Sequence, residues 1–167
     1  MTTLILARHG ETDWNRNGRI QGHADQPLNE RGREQARELA ERLAEEEIDA
    51  VYTSDLRRAA ETAEIIGAML GVEVTADQDL REIDVGTWSG LTRDELGDRD
   101  WDGETRETHS ARVLRALRRI VARHPDGRVV VVTHGGSCRR VFEALGEHDR
   151  PAPASCEVIR VRGDQLD

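Results

Sequence analysis

Two stretches of the chain place a histidine and a glycine directly after a run of apolar residues. Residues 4–7 (Leu-Ile-Leu-Ala) lead into Arg8, His9 and a glycine, and residues 129–132 (four valines) lead through a threonine to His134 and two glycines. An apolar run without a polar break predicts a buried strand. Ligands of open α/β sheets bind at the carboxyl ends of the strands. If the two strands are neighbours, His9 and His134 face each other across one pocket, with Arg8 beside them to hold an anion. A single histidine after a strand is more often structural, and it is the repetition that favours a functional site.

The basic residues are all arginine: the sequence contains no lysine among its 24 basic residues. This excludes a Schiff-base lysine and a P-loop, both of which require that residue. A phosphate group would have to be held by arginine, histidine or backbone N–H groups. Arginine suits that task because its planar guanidinium donates two hydrogen bonds to phosphate oxygens.

The overall composition restricts the partners. The formal net charge of −9 argues against non-specific binding to nucleic acid or anionic membranes, which depends on a basic surface. The N-terminus shows no signal-peptide pattern and no segment is apolar enough to span a membrane, so we expect a cytoplasmic protein. The two cysteines, Cys138 and Cys156, do not form a disulfide framework.

The elements that position these residues alternate along the chain. Strands are predicted at the first apolar run and at 49–53, 72–75, 129–133 and 156–161, and helices from about 29 to 43, after Ser54 or Asp55 to 70, at 106–123 and at about 137–145. Such alternation predicts an α/β fold, here a three-layer sandwich whose central, mostly parallel sheet carries helices on both faces. A length of 167 residues suits one domain, 1–167, with a core of its own.

Further candidate residues lie in the loops and at a helix start. The polar loop after the first strand contains Asn15, Gln21 and Gly22, which are able to hydrogen-bond a ligand or to serve ordinary loop structure. Arg57 lies in the first turn of its helix, where the N-terminus attracts anions, and we expect its neighbour Arg58 to be the solvated one of the pair. Glu82 precedes an isoleucine and is a candidate proton donor if partly desolvated, although a surface position is the commoner one for glutamate.

Two apparent motifs are rejected. Residues 98–103 copy the start of an EF-hand loop, but its twelfth position, which should be a glutamate, is His109. Cys156 and Arg162 have the spacing of a cysteine phosphatase, but the residues between them alternate like a strand and form no glycine-rich loop. The six histidines show no metal-binding spacing, and we predict no metal site and no cofactor.

Four blocks of the chain, taken in order, resemble the histidine phosphatase superfamily in its phosphoglycerate-mutase-like branch. The blocks are Arg8-His9-Gly10-Glu11-Thr12 with Trp14-Asn15 and Gln21-Gly22; Ser54-Asp55-Leu56-Arg57-Arg58-Ala59; Glu82 within residues 81–90; and His134-Gly135-Gly136. The resemblance implies that His9 is a nucleophile that forms a phosphohistidine and that Glu82 is the general acid. It implies that Arg8, Arg57 and His134 bind the phosphoryl group, and we assign Asn15, Gln21, Gly22 and Gly135 to substrate binding as well.

The expected activity is therefore metal-independent hydrolysis of a small phosphorylated metabolite. We expect no nucleic acid or membrane partner, and the sequence does not decide between a monomer and a homodimer. The segment between Glu82 and His134 is shorter than in the phosphoglycerate mutases of the family. This favours a phosphatase over the alternative, a phosphoglycerate mutase. A second alternative, from another class, is a module that binds phosphorylated ligands without turnover, because a fold does not fix a function.

Overall fold

Five strands form the sheet in the computed structural model, which describes residues Met1–Asp167. They are β1 (Thr3–Arg8), β2 (Ala50–Thr53), β3 (Val74–Ala76), β4 (Arg128–Thr133) and β5 (Val158–Arg162). The strand order is β3-β2-β4-β1-β5, in which the first four strands run parallel and β5 pairs antiparallel with β1. The predicted mostly parallel sheet is confirmed.

Six helices connect these strands. They are α1 (Asp13–Arg16), α2 (Glu30–Leu43), α3 (Arg57–Leu70), α4 (Arg93–Leu96), α5 (Arg106–Arg123) and α6 (Gly135–Ala144). Short 3₁₀ turns lie at Gln78–Leu80, Gly86–Trp88 and Gly163–Leu166. None of the helices has the length and hydropathy that crossing a lipid bilayer requires.

The core is divided by the sheet into two layers, because successive side chains of a strand point to opposite faces. Leu4 of β1 packs in the cluster that contains residues of α5 and α6, where Phe142 is the largest fully buried side chain. The next residue, Ile5, belongs to the opposite cluster together with Leu39 of α2 and Ile66 of α3. The predicted three-layer arrangement, with helices on both faces, is therefore confirmed.

Helix boundaries follow the local sequence where a side chain caps the helix. Asn29 accepts a hydrogen bond from Gly32 N and begins α2, as predicted. Thr105 does the same for Thr108 N, and α5 has the predicted bounds. The predicted extent of α3 agrees with the structure, but the predicted cap, Ser54 or Asp55, was wrong: the N-cap is Leu56, and Asp55 instead accepts two hydrogen bonds from Arg81.

The short elements differ most from prediction. The loop after β1 contains α1, closed by a reciprocal pair of hydrogen bonds between Thr12 and Asn15. Strand β5 begins at Val158 and not at Cys156, because Cys156 has a φ of 57°, which no strand residue adopts. Strand β3 is also two residues later at its start than predicted, and α6 begins two residues earlier, at Gly135.

Candidate active site

The two histidines come together at one edge of the sheet. Strands β1 and β4 are parallel neighbours, and Arg8 pairs with Thr133, so that the next residue of each strand is a histidine at the same level. The ring centroids of His9 and His134 are 5.2 Å apart. Both side chains are buried. The chain thus places two imidazoles side by side at the carboxyl ends of the two central parallel strands.

His9 is a neutral imidazole in which one ring nitrogen is engaged in a hydrogen bond. Its Nδ1 lies 2.7 Å from the carbonyl oxygen of Gly10, which accepts only, so Nδ1 carries the proton and Nε2 keeps a free lone pair. Burial, followed by the positive charges of Arg58 and Arg8, holds the pKa of His9 well below its usual value. His9 therefore presents an unprotonated nitrogen at neutral pH.

Gly10 has no room for a side chain. A Cβ atom built at this position would lie 2.5 Å from the carbonyl oxygen of Gly32 in the first turn of α2. The close approach of α2 to the turn therefore depends on glycine at position 10. The carbonyl oxygen of Gly10 itself orients His9, through the hydrogen bond from Nδ1.

Three buried nitrogens around His9 have no hydrogen-bond partner: Arg8 Nε, Arg58 Nε and His134 Nδ1. The rest of each side chain is anchored. Arg8 donates through Nη1 to Pro153 O (2.9 Å), and Arg58 donates to the carbonyls of Gly22 and Ala24 (2.7 Å each). Buried polar groups are almost always paired, and each orphan costs about 1–3 kcal/mol. The arrangement is therefore suited to an anion that accepts from all three.

The predicted role of Arg57 needs a correction. Arg57 is exposed and pairs with Glu61, one turn along the surface of α3 (2.7 Å). Arg58 is only 1% exposed and lines the cavity with His9. Successive helical residues point about 100° apart, so only one of the two can face the sheet. Burial lowers the pKa of Arg58 to about 10, which leaves its guanidinium charged at neutral pH.

Glu82 lies opposite the histidines on the loop before the second 3₁₀ turn. Its carboxylate accepts from Ile83 N (Oε1, 2.9 Å) and Gly136 N (Oε2, 2.9 Å). Arg112 of α5 fixes this loop from behind, since it donates to the carbonyls of Arg81 and Glu82 (2.6 and 2.7 Å). The side chain of Glu82 is 17% exposed and borders the same cavity as His9.

The remaining predicted residues also lie at the cavity, whose volume is about 390 Å³. Asn15, Gln21, Gly22 and Gly135 all line it. Asn15 Oδ1 accepts from Thr12 N (3.0 Å), which leaves the amide NH₂ without a partner inside the chain, and Gln21 Oε1 accepts from the Thr12 hydroxyl (2.8 Å). All predicted site residues except Arg57 are thus brought together.

Comparison with known proteins supplies the family. Residues 4–162 match the histidine phosphatase superfamily (branch 1). The chain belongs to this superfamily.

Two relatives and one solved structure illustrate the similarity. The chain is 42% identical to phosphoglycerate mutase-like protein 4 of Arabidopsis thaliana, over 93% of this chain and 74% of that protein. It is 39% identical to a metal-independent phosphoserine phosphatase of the same plant, over 97% and 77%. The structure of Bacillus stearothermophilus YhfR superposes with a TM-score of 0.91 at 35% identity, covering 97% of this chain and 91% of that one. The resemblance drawn from the sequence is confirmed at the level of the family.

The site also contains a residue that the sequence analysis overlooked. His109 was assigned no role, yet it is buried beside Glu82, with Nε2 3.8 Å from Glu82 Oε1 and 2.9 Å from Ser137 Oγ. Burial lowers the pKa of His109 to about 4, against the opposing pull of the Glu82 carboxylate. A signal was present: His109 lies four residues before Val113 and eight before Leu117, on the apolar face of α5.

The two cysteines lie in the core. Burial raises the pKa of Cys138 and of Cys156 to about 12, so both thiols are protonated at neutral pH. No three side chains of His, Cys, Asp or Glu are grouped in a way that would hold a metal ion. The groups that the cavity offers are a buried neutral imidazole, the guanidinium groups of Arg8 and Arg58, and the carboxylate of Glu82.

Proposed function

We propose that this protein hydrolyses phosphomonoesters of small metabolites, without a metal ion, through a phosphohistidine on His9. In the first step Nε2 of His9 attacks phosphorus, the bond from phosphorus to the ester oxygen breaks, and the leaving alkoxide takes a proton from Glu82. In the second step water attacks the phosphohistidine, the P–N bond breaks, and Glu82 takes the proton of the water. Phosphate leaves and His9 is regenerated.

The observation that carries the proposal is the set of orphaned donors around His9. Arg8 Nε, Arg58 Nε and His134 Nδ1 are buried without partners, although the chain elsewhere satisfies nearly all of its buried side-chain polar atoms. A tetrahedral phosphoryl group in front of His9 would accept from all three. During transfer the charge spreads over its equatorial oxygens, and fixed guanidinium groups stabilise that charge without reorganising.

The ionisation state of His9 supports its role as nucleophile. An imidazole attacks only when one nitrogen is free, and the low pKa of His9 keeps that nitrogen free at neutral pH. The hydrogen bond from Nδ1 to Gly10 O fixes the tautomer and aims Nε2 at the cavity. It also stabilises the positive charge that the ring gains when Nε2 is phosphorylated.

The position of Glu82 supports its role as proton donor and acceptor. It lies at the cavity with His9, and its carboxylate is held by two backbone N–H groups. The plant relative that is 39% identical is named a metal-independent phosphoserine phosphatase. That name agrees with a reaction in which arginines, and no metal ion, stabilise the negative charge of the phosphoryl group. The substrate of that relative is not carried over to this chain.

The test combines turnover, trapping and a chelator. We expect hydrolysis of p-nitrophenyl phosphate that persists after dialysis against EDTA. Rapid acid quench with ³²P-labelled substrate should trap an alkali-stable, acid-labile phosphoryl adduct, and His9→Ala should lose both the adduct and turnover. A chain that binds phosphate but never turns over an ester would be the non-catalytic module. An adduct that survives in His9→Ala would place the nucleophile elsewhere.

A further inference from the structure

Three neighbouring strands end in a row of three polar side chains. In the strand order β2-β4-β1, Ser54 follows β2, His134 follows β4 and His9 follows β1. Ser54 N donates to Val132 O of β4 (3.0 Å), which extends the pairing of the two strands by one residue and holds Ser54 beside His134. The second histidine of the phosphoryl site therefore has a serine directly behind it.

Ser54 and His134 are joined by a hydrogen bond that is completely enclosed. Ser54 Oγ lies 2.8 Å from His134 Nε2, and both residues have no exposed surface. Burial, followed by the positive charge of Arg58, holds the pKa of His134 well below its usual value, so at neutral pH the ring is neutral and carries one N–H. The location of that proton depends on which partner donates in the bond with Ser54.

The hydroxyl of Ser54 is the donor in this bond. Its oxygen already accepts from Leu56 N (3.2 Å), and His134 Nε2 is the one acceptor that the structure places within hydrogen-bond distance of it. If Nε2 carried the proton instead, the hydroxyl hydrogen of Ser54 would be unpaired in the interior, and buried polar groups are rarely left so. The hydroxyl therefore donates to Nε2, and the proton of the ring is on Nδ1.

The other buried serine–histidine pair has the opposite polarity. Ser137 donates its hydroxyl proton to Arg81 O (3.1 Å), so its oxygen accepts from His109 Nε2 (2.9 Å). Ser54 has no such carbonyl to donate to, and its proton goes to the histidine. The two pairs therefore hold their imidazoles in opposite tautomers.

The tautomer of His134 matters because Nδ1 is its unpartnered nitrogen. The ring centroid of His134 is 5.2 Å from that of His9, and Arg8 Nε and Arg58 Nε are unpartnered around the same ring. With a proton on Nδ1, all three nitrogens are donors to one phosphoryl group. With the proton on Nε2, a lone pair of His134 would face the oxygens of that group and repel them.

We propose that Ser54 is a positioning residue of the phosphoryl site, whose hydroxyl fixes His134 as the Nδ1–H tautomer before a substrate binds. The proposal rests on the phosphatase function proposed above. Ser54 has no exposed surface, so it acts through His134 and not on the substrate itself. A donor whose proton is already in place needs no rearrangement when the phosphoryl group arrives, which is how preorganised donors stabilise developing charge.

The first test measures the tautomer directly. Long-range ¹H–¹⁵N correlation spectra of protein labelled with ¹⁵N-histidine distinguish protonated from bare ring nitrogens, and His134→Gln identifies the signals of His134. In the ligand-free wild type at pH 7.5, we expect a protonated Nδ1 and a bare Nε2 at His134, and the reverse at His109. A protonated Nε2 at His134 overturns the proposal, whether or not the protein is active.

The second test removes the donor. In Ser54→Ala the Nε2–H tautomer of His134 should appear, and kcat/KM for p-nitrophenyl phosphate should fall about tenfold, the scale of one hydrogen bond to a charged group. Ser137→Ala is the matched change in the other pair and should leave the signals of His134 unchanged. Signals of His134 that are the same in Ser54→Ala as in the wild type also overturn the proposal.

A double-mutant cycle separates the tautomer from a structural role, because Ser54 also accepts from Leu56 N at the start of α3. The His134→Gln background has no tautomer to fix, so adding Ser54→Ala there should lower kcat/KM by less than about twofold. A tenfold loss in both backgrounds would mean that Ser54 only supports α3, and would overturn the proposal. Absence of turnover of p-nitrophenyl phosphate by the wild type would contradict the phosphatase function, whereas the spectra of His134 test the role of Ser54 independently of turnover.

Discussion

His109 Nε2 lies 3.8 Å from Glu82 Oε1, and the hydrogen bond that His109 makes on the same nitrogen fixes its proton. The hydroxyl of Ser137 donates to Arg81 O (3.1 Å), so its oxygen is free to accept from His109. Nε2 therefore carries a hydrogen directed between Ser137 Oγ and the carboxylate. A buried, neutral imidazole thus lies directly against the carboxylate of Glu82.

The first prediction concerns Glu82. Glu82→Gln keeps the shape and one of the two acceptor oxygens but removes the acid, so hydrolysis of alkyl phosphates should fall by about 10²–10⁴, the usual scale of general acid catalysis. The loss should be much smaller for p-nitrophenyl phosphate, because nitrophenolate departs without a proton. Steady-state kcat/KM for the two esters is the measurement. Equal losses for both would argue against proton donation by Glu82.

The second prediction concerns His109 as a positioning residue. His109→Phe preserves the packing of α5 but removes the N–H that faces Glu82, so the carboxylate loses orientation. We expect a loss of about tenfold in kcat/KM for alkyl esters and less for p-nitrophenyl phosphate, the same pattern as in Glu82→Gln. His109→Gln, which retains a donor, should recover part of the loss. If the role of His109 is purely structural, kcat/KM should fall equally for both esters, and His109→Phe and His109→Gln should not differ.

The third prediction separates two adjacent arginines. Arg58→Gln removes a buried charge from the phosphoryl site and should lower kcat/KM by about 10²–10³, as the loss of a transition-state donor does. Arg57→Gln breaks only a surface ion pair and should change kcat/KM by less than about twofold. Circular dichroism checks that both variants are folded. A larger loss in Arg57→Gln than in Arg58→Gln would return the phosphoryl contact to Arg57.

The fourth prediction is a loss of stability in mild acid. His9, His109 and His134 are all buried with lowered pKa values, so below pH 6.5 the unfolded chain binds protons that the folded chain does not. The free energy of unfolding should be highest above pH 6.5 and should fall as the pH decreases toward 4. At pH 5.5 each histidine costs about 1.4 kcal/mol. Urea titrations at pH 7.5 and 5.5 measure the change.

A matched variant tests the origin of that acid sensitivity. His109→Gln removes one of the three titrating groups, so the difference in unfolding free energy between pH 7.5 and 5.5 should shrink by about 1.4 kcal/mol. His148→Gln, at an exposed position outside the cavity, should leave the difference unchanged. Stability that is independent of pH over this range would show that the three imidazoles titrate normally in the folded chain.

The juxtaposition of His9 and His134 was predictable because it depends only on strand order and on the level at which two parallel strands stop. The selection of Arg57 over Arg58 failed because it depends on the rotation of a helix, and one residue of error turns a side chain by about 100°. The spacing of the buried residues in α3 does identify the correct arginine. Arg58 and Thr62 are four residues apart and share the buried face of α3 with Ile66.

His109 was missed because its contacts are long-range, whereas the choice between Arg57 and Arg58 depends on local helix geometry. The apolar pattern of α5 assigns this position to the core, but the sequence does not show that Glu82 and Ser137, 27 residues before it and 28 after it, meet it there. Contacts of this kind arise from how the loop after β3 folds over the sheet. A second cavity, lined by Arg93, Arg106, Arg139 and Arg140, was beyond prediction for the same reason, because these residues come from three helices, α4, α5 and α6.

The last prediction concerns the fate of the phosphohistidine. A mutase must protect this intermediate from water while its bound product reorients, which requires a closed site. Here the segment between Glu82 and His134 is used for α4, for the 18 residues of α5 and for the wall that carries the tryptophans. The cavity at His9 shares Arg93 and Arg139 with the neighbouring cavity that Trp88 and Trp101 line, and both arginines are exposed to solvent.

Water should therefore reach the phosphohistidine faster than a second hydroxyl does. Supplied with 3-phosphoglycerate, the protein should release inorganic phosphate, and a 2,3-bisphosphoglycerate primer should not redirect it to isomerisation. The measurement follows free phosphate and 2-phosphoglycerate in the same reaction, with His9→Ala as the blank for both. Primer-dependent isomerisation that outpaces phosphate release would mean that the bound product turns over before water enters, and the chain would then be a mutase built on a short connection.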